Sequence, residues 1–355
     1  MARTYPLNHW YAIATSAELT AKPLARTICQ IPLVMFRGKD GGIAVLEDIC
    51  PHRKAPLSSG SVVDGAIECG YHGAQFDGKG RCIHIRSQDV IPPRGMSVTH
   101  FPALERHDMI FVWIGDPARA TDDGIPDAWS TNTDPDWTTV HGYHHVKANY
   151  LLLLDNLADL THLAFVHRST IGASGRTGWF NNPLRVTIKD DTVHSSRTMR
   201  DISPSGFMLM TGRFAQTDKI DRFQTSDFFA PSFFTVVLGG ELAGVCEEMQ
   251  RPHHIVLNCI TPETEETSHY FWSVCRSAAL DDAHVSEQMY LQTRHAFDED
   301  AQMLERQQQT IRADRSGKPL MNFQGDQAGA AIRKAIARLM QAEAPEGKAA
   351  EEQAA

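Results

Sequence analysis

The chain has no apolar stretch long enough to cross a membrane. Its greasiest run, Leu151-Leu152-Leu153-Leu154, stops at Asp155, far short of the roughly 20 residues a spanning helix needs. No apolar segment follows Met1-Ala2-Arg3-Thr4, so no secretory signal is expected. Positive charge is scarce. Against 34 Lys and Arg stand 43 Asp and Glu, for a net charge of -9, which argues against a nucleic-acid backbone as partner. A Gly-x-Gly-x-x-Gly run after a predicted strand is missing, so no nicotinamide or flavin site is expected within the chain. Seven cysteines are an odd number without a regular framework. Disulfides are therefore not the organising principle, and a reducing cytoplasm is the expected location. Internal repeats are absent as well.

What remains is an ordinary globular composition, 42% hydrophobic and 22% charged, in 355 residues. That length is enough for two domains with sizeable cores. Residues 1 to 118 read as strands and turns: Thr27–Arg37, Ile43–Ile49, Ala66–Cys69, Gln75-Phe76, Arg81–Ile85 and Met109–Ile114. Asp77-Gly78 and Lys79-Gly80 mark a hairpin turn. A stretch rich in Pro, Gly and Asp, Asp116–Asp127, carries the expected boundary. Residues 119 to 341 mix helix and strand. Helices are expected over Asn149–His167, Asp281–Arg312 and Ala328–Gln341. Strands of one antiparallel sheet are expected over Val186–Arg200, Phe207–Ala215, Phe233–Leu238, His254–Ile260 and Tyr270–Arg276, making an α+β domain with helices on one face. Residues 342–355, rich in Ala and Glu, read as a disordered tail.

Two short runs carry the first chemistry. Cys50-Pro51-His52 and Cys69-Gly70-Tyr71-His72 each pair a thiolate with an imidazole, the mixture a [2Fe–2S] cluster needs when Cys holds one iron and His the other. Each pair is expected at a β-hairpin tip, with Cys50 and Cys69 on the buried iron and His52 and His72 on the outer one. Gly70 and Gly73 would let the backbone fold around the sulfides. Tyr71 packs either beside the cluster or in the core. A structural zinc site is the competing reading. It is disfavoured because zinc fingers group Cys with Cys and His with His, at wider spacing within each pair. Cys29, Cys82, Cys246, Cys259 and Cys275 have no such neighbours and read as buried small hydrophobes.

The second run is Asp155-Asn156-Leu157-Ala158-Asp159-Leu160-Thr161-His162, continued by Val166-His167. Two His and one carboxylate on one side of an iron leave positions open for oxygen. His162 and His167 stand about 140° apart on an ideal helix, so both reach one ion only if the helix bulges or ends between them. Two unrelated surface or capping histidines are the bland alternative, and Asn156 and Asp159 weigh against it. The third ligand must come from elsewhere. Asp300 is the best candidate, with Asp298 and Glu299 as rivals, while a solvated acidic helix face is what such a run ordinarily means.

With both runs in view, the chain resembles the Rieske non-haem iron oxygenases over nearly its whole length. Its shape is closest to the aromatic O-demethylase branch, such as vanillate and dicamba O-demethylase. Ile260-Thr261-Pro262-Glu263-Thr264-Glu265, Glu299-Asp300 with Met303-Leu304-Glu305, and Gln307-Gln308-Gln309 share in the resemblance. It implies an N-terminal all-β Rieske [2Fe–2S] domain followed by a helix-grip (START-like) catalytic domain. It implies mononuclear Fe(II) on His162, His167 and Asp300, with Asp159 as the bridge between centres and Asn156 beside it in the catalytic motif. It also implies a homotrimer, O2 as co-substrate, a separate NAD(P)H-dependent reductase or ferredoxin, and a small aromatic acid as substrate. Arg168 and Gly172–Asn182, with Trp179 and Phe180, depart from the family pattern and leave substrate identity open. Asn258 matches a place where relatives present a polar side chain to substrate; a strand residue facing solvent is the alternative. Arg168, Arg176 and Arg185 are candidates for a substrate carboxylate.

The expected activity is oxidative removal of an aryl methyl ether as formaldehyde. Methyl hydroxylation and ring dihydroxylation are the alternatives within the family. From other classes come a pure electron-transfer protein, for which residues 1 to 118 would suffice, and a zinc-stabilised binding protein.

Overall fold

The computed structural model describes residues 3, 5–88, 92–93, 95–167, 182 and 184–343. The chain divides into two compact units. One is Leu7–Gly124 with Thr261–Thr264; the other is Met1–Pro6, Ile125–Ile260 and Glu265–Ala355.

Among the described residues the first unit is built from three small antiparallel sheets. The first has the order β1 (His9–Thr15), β11 (Met109–Ile114), β10 (Ala103–Arg106). The second runs β2 (Leu24–Ile28), β3 (Ile31–Arg37), β4 (Ile43–Glu47), β9 (His100–Phe101). The third runs β5 (Ser61–Val63), β6 (Ala66–Glu68), β7 (Ala74–Phe76), β8 (Cys82–Ile85). β11 is buried at every position, which its unbroken apolar sequence and its place in the middle of a sheet require. Phe36, Leu46, Leu57, Ile67 and Phe76 form a core that also contains Cys50 and Cys69.

The stretch expected as one strand, Thr27–Arg37, is two. Cys29 and Gln30 both take positive φ, 51° and 66°, and turn β2 back onto β3 in a tight hairpin. Neither residue is a usual turn former. Their N–H groups instead donate to the carbonyls of Pro262 and Glu263, each at 2.8 Å, so a segment far along the sequence holds the turn.

Among the described residues the second unit is a seven-stranded antiparallel sheet with helices. Its order is β12 (Thr138–Val146), β18 (Ser268–Arg276), β17 (His254–Pro262), β16 (Phe233–Leu242), β15 (Ile220–Phe229), β14 (Thr192–Ile202), β13 (Arg185–Lys189). Among the described residues the helices are α1 (Tyr150–Ala158), the short α2 (Gly206–Met210), α3 (Ala283–Ala313) and α4 (Gln327–Ala342). Two expectations fail here, and two strands appear that were not expected. Val186–Arg200 is a hairpin that turns at Asp190, φ 53°. Phe207–Ala215 holds α2 rather than a strand. The strand of that region is β15, whose apolar alternation is broken by Asp221 and Gln224, both buried. Asp221 is satisfied there by Arg200 and by the N–H groups of Asp201 and Gly244, so polarity in the sequence does not mean exposure. β12, rich in His and Thr, carries no apolar period and was not expected.

In α3, Asp282 caps the first turn by accepting from the N–H of Val285 at 3.0 Å. The buried positions Val285, Met289, Thr293, Ala296, Asp300 and Leu304 recur every three or four residues, a single stripe facing the sheet. Five of the six are small or apolar; Asp300 is the exception. Among the described residues no helix is long and apolar enough to cross a membrane. Residues 344–355 of the expected tail lie outside the described residues.

Candidate metal centres and the cavity beside one of them

In the first unit, Cys50–Ala55 and Cys69–Ala74 are the same loop made twice. The N–H of Cys50 donates to the carbonyl of Ala55 at 2.9 Å, and the N–H of Lys54 to the carbonyl of Cys50 at 2.9 Å. The N–H of Cys69 donates to Ala74 at 2.8 Å, and that of Gly73 to Cys69 at 3.0 Å. The fifth residue of each loop is left-handed, Lys54 at φ 60° and Gly73 at φ 69°, a conformation glycine adopts without cost. The second loop joins β6 to β7, which pair, so it is a hairpin tip as expected. The first is not a hairpin: it crosses from β4 to β5, which lie in different sheets.

The loops place the two thiols in the hydrophobic core and the two imidazoles toward its rim. Cys50 and Cys69 are 2% exposed, whereas His52 is exposed and His72 half-buried. The His52 and His72 rings meet edge to face, centroids 4.6 Å apart. Burial pushes the Cys50 thiol up against the pull of the His52 and Arg53 N–H groups. Two buried sulfurs beneath two outer imidazoles are the donors a mixed Cys/His [2Fe–2S] cluster takes. Tyr71 is 64% exposed and lies against His72, ring centroids 3.8 Å apart, so it is not a core aromatic. Of the remaining cysteines, Cys29, Cys259 and Cys275 are buried, and Cys82 and Cys246 half-buried.

In the second unit the expected helix Asn149–His167 breaks at Asp159, which closes α1 and caps a short 3₁₀ turn, Leu160–Ala164. That turn ends between His162 and His167. The break removes the 140° divergence, and the two rings come to 5.3 Å between centroids. Nε2 of His162 lies 3.4 Å, and Nε2 of His167 3.1 Å, from Oδ1 of Asp300. One donor atom from each of the three lies within 4.8 Å of the others.

The opposite nitrogens are already engaged. Nδ1 of His162 donates to the main-chain oxygen of Asp159 at 2.7 Å, and Nδ1 of His167 to Oε2 of Glu299 at 2.7 Å. Each imidazole therefore carries its proton on Nδ1 and presents a lone pair at Nε2. Nε2 of His167 is buried without a hydrogen-bond partner. Asn156 Nδ2 donates to Oδ1 of Asp300 at 3.1 Å, which fixes the carboxylate. Burial disfavours charge on both rings. It prevails at His162, while at His167 Asp300 and Glu299 outweigh it. Two lone pairs and a carboxylate converging on one point, with an orphaned buried nitrogen among them, fit a mononuclear iron.

The three acidic candidates separate by partner. Asp298 accepts from Nε2 of His144 at 3.1 Å, and Nδ1 of that ring accepts from the Trp272 indole N–H at 3.0 Å. Glu299 serves His167 from behind. Asp300 alone faces both imidazoles. Asp159 directs its carboxylate at Thr161, accepting from the N–H at 2.9 Å and the hydroxyl at 2.8 Å. Gly325 packs against it so closely that a Cβ there would lie 2.7 Å from Oδ2 of Asp159. Four residues earlier in the chain, Asp155 is clamped by the Arg333 guanidinium, Nε to both oxygens at 2.9 and 3.0 Å.

A cavity of about 530 Å³ opens between α2, α3 and the sheet. Phe207, Met208, Leu238, Val256, Leu291 and Phe297 supply much of its apolar wall. Phe297, the lining residue furthest along α3, is one helical turn before Asp300; the triad residues themselves are not among the lining residues. Asn258 does not line it. That residue is fully buried, donating to the carbonyl of Phe234 at 2.9 Å and accepting from the Tyr270 hydroxyl at 2.8 Å, so it does not face solvent either. Arg185 is exposed on β13 and is not among the lining residues. Arg168, Arg176 and the stretch from Gly172 to residue 181 lie outside the described residues. Arg222, His254 and Thr293 do line the cavity and were not singled out from sequence; no local pattern marks them, since the sheet register decides which strand residues face inward.

Residues 9–102 match the family model of the Rieske [2Fe–2S] domain, and residues 146–342 that of the vanillate O-demethylase oxygenase C-terminal domain. The chain is 38% identical to a putative toluene-4-sulfonate monooxygenase system iron–sulfur subunit of Comamonas testosteroni, over 95% of this chain and 97% of that one. It is 39% identical to the dicamba O-demethylase oxygenase component of Stenotrophomonas maltophilia, over 79% and 80%. In structure it is similar to dicamba monooxygenase bound to 3,6-dichlorosalicylic acid, with a TM-score of 0.89 and 34% identity, covering 97% of this chain and all of that one.

Proposed function

Because the chain belongs to the Rieske non-haem iron oxygenases, in the family of the vanillate and dicamba O-demethylase oxygenase components, we propose that it oxidatively demethylates a methoxylated aromatic acid of the vanillate type. Its cofactors are a Rieske [2Fe–2S] cluster and mononuclear non-haem iron, and as an oxygenase component it works with a separate reductase. In the reaction we propose, an aryl methyl ether, O2, two electrons and two protons give a phenol, formaldehyde and water. The observation that carries this reading is the convergence of His162, His167 and Asp300 on one point, one helical turn along α3 from Phe297 on the wall of a largely apolar cavity.

We assign Cys50, Cys69, His52 and His72 to the cluster and His162, His167 and Asp300 to the mononuclear iron. The cluster supplies electrons singly, and the mononuclear iron supplies the oxygen chemistry. The chain's own side chains do the rest. Asn156 and Glu299 hold Asp300 and His167 in place, and the main-chain oxygen of Asp159 sets the tautomer of His162. Phe207, Leu238 and Phe297 exclude water from the substrate ring. Asp159 is the proposed link between centres, through His72 on one side and His162 or His167 on the other. In the homotrimer that belongs to this proposal, the link crosses between subunits, and molar mass in solution tests it. A reducing cytoplasm agrees with seven cysteines that are all free.

The similarity to a toluene-4-sulfonate monooxygenase subunit supports oxidation of an aryl methyl group as the second reading. The two separate on product. Methoxybenzoates supplied with electrons and oxygen should release formaldehyde in step with oxygen uptake. Oxygen uptake with methylated aromatic acids and none with methoxylated ones would replace the first reading by the second.

A further inference from the structure

Among its described lining residues the cavity wall holds one fixed positive charge. Arg222 on β15 is the sole Arg or Lys among those described residues, and no Asp or Glu is among them. Burial and the neighbouring Arg197 lower its pKa to about 10, so the guanidinium stays charged at neutral pH. His254, 2% exposed, is held to about 3, chiefly by burial, and is neutral there. Its Nε2 is a buried polar atom without a hydrogen-bond partner, as is Oγ1 of Thr293; both residues line the same cavity.

The strand register locates Arg222 relative to the triad. Tyr270, whose ring lies 5.1 Å between centroids from that of Phe297, one turn before Asp300 on α3, bonds to Asn258. Asn258 pairs with Phe234, and Phe234 with Phe228. Arg222 stands six residues along β15 from Phe228, about 20 Å at a strand's rise per residue. Val274, on the cavity wall, is four residues along β18 from Tyr270, and Leu291 is nine residues along α3 from Asp300, each about 13 Å. Arg222 therefore stands at the part of the cavity far from the triad, and Phe297 at the part nearest it.

We propose that this cavity is the substrate site and that Arg222 anchors an anionic group, carboxylate or sulfonate, on the aromatic ring at the end remote from the iron triad, with the His254 and Thr293 side chains completing the polar end. The proposal rests on the oxygenase reading and adds the side chain that holds the acid group and the substitution pattern that follows from its place. A guanidinium suits both anions because its fork of donors accepts two oxygens at once. The distance favours substrates whose methyl ether is para or meta to the anion over ortho isomers.

The test is calorimetric binding to the fully loaded enzyme without oxygen, which needs no turnover. 4-Methoxybenzoate should bind at least about tenfold more tightly than its methyl ester or 2-methoxybenzoate, since a charge-assisted contact is at stake. Comparing 4-methylbenzoate with 4-methylbenzenesulfonate identifies the preferred anion. Arg222→Gln should cost the acids about 10- to 100-fold and leave the ester unchanged, and Arg222→Lys should keep the preference for acid over ester. Equal binding of acid and ester by the wild type overturns the anchor without any variant; so does a folded Arg222→Gln that binds the acids normally. If the acids bind as expected and no formaldehyde appears on turnover, the demethylation reading fails and the anchor stands.

Discussion

The two metal regions gather their donors over very different lengths of chain. In the first unit, two six-residue loops beginning at Cys50 and Cys69 carry everything, and each loop brings its own cysteine and histidine. In the second, His162 and His167 wait for a carboxylate on another helix, and Asn156, which fixes that carboxylate, is 144 residues away from it. A local loop keeps its geometry if its own turn survives. A site assembled from distant elements depends on every packing contact that holds those elements together. The cluster region should therefore be sensitive to its ligands and tolerant around them, and the triad sensitive to its supports as well.

The largest effects should fall on the ligands, and they should separate. Asp300→Ala is expected to lose the mononuclear iron and at least about a thousandfold in turnover while the red-brown cluster spectrum stays intact, because an open triad cannot hold the ion. Cys69→Ala should do the reverse, losing acid-labile sulfide. Iron analysis with absorption spectra checks both. If Asp298→Ala empties the mononuclear site and Asp300→Ala does not, the carboxylate was assigned wrongly.

Supports come next. Glu299→Gln and Asn156→Ala should each weaken mononuclear iron binding by about 10- to 100-fold, the usual cost of removing a group that orients a ligand. Chelator competition measures this. Substitutions at Tyr71, exposed beside His72, should leave cluster content unchanged. A Tyr71→Ala variant that loses the cluster would erase the contrast between the two regions.

A smaller effect isolates the link between centres. Gly325→Ala places a methyl group against the Asp159 carboxylate. It should retain both metals but slow electron transfer between them by about tenfold, as seen by rapid mixing of reduced cluster with oxygen and substrate. Normal transfer with a displaced Asp159 would remove that residue from the path.

Acid stability gives the finest contrast. His254 has a folded pKa of about 3 against an unfolded value near 6.5. The unfolded chain takes up the proton first as pH falls, so the second unit loses about 1.4 kcal/mol per pH unit below that value from this group, and none above it. Denaturant midpoints between pH 7 and 5 measure the slope, and His254→Gln should flatten it by that amount. An unchanged slope would mean that the imidazole is solvated.

The same contrast explains what could be read before folding. Cys50, His52, Cys69 and His72 were legible because their spacing is itself the site. His162 and His167 were legible with a condition attached, that the helix end between them; Asp159 closes α1 and caps the short 3₁₀ turn that ends there, at Ala164. Asp300 stands out once α3 is drawn as a stripe, the one carboxylate among Val285, Met289, Ala296 and Leu304. Arg222 and His254 left no such mark, because cavity walls are set by sheet register. β15 was missed for a related reason: its polar residues Asp221 and Gln224 are buried, so alternation of polarity no longer reports the strand. The crossing from β4 to β5 was taken for a hairpin because a turn-rich loop between two short strands looks the same whether or not the strands pair.

The account rests on one chain holding two different iron sites. Its most direct test is a count of metal and acid-labile sulfide in protein purified and reconstituted without oxygen. About three irons and two sulfides per chain are expected, falling to two and two in His162→Ala. Zinc in place of iron, or iron without sulfide, would contradict it.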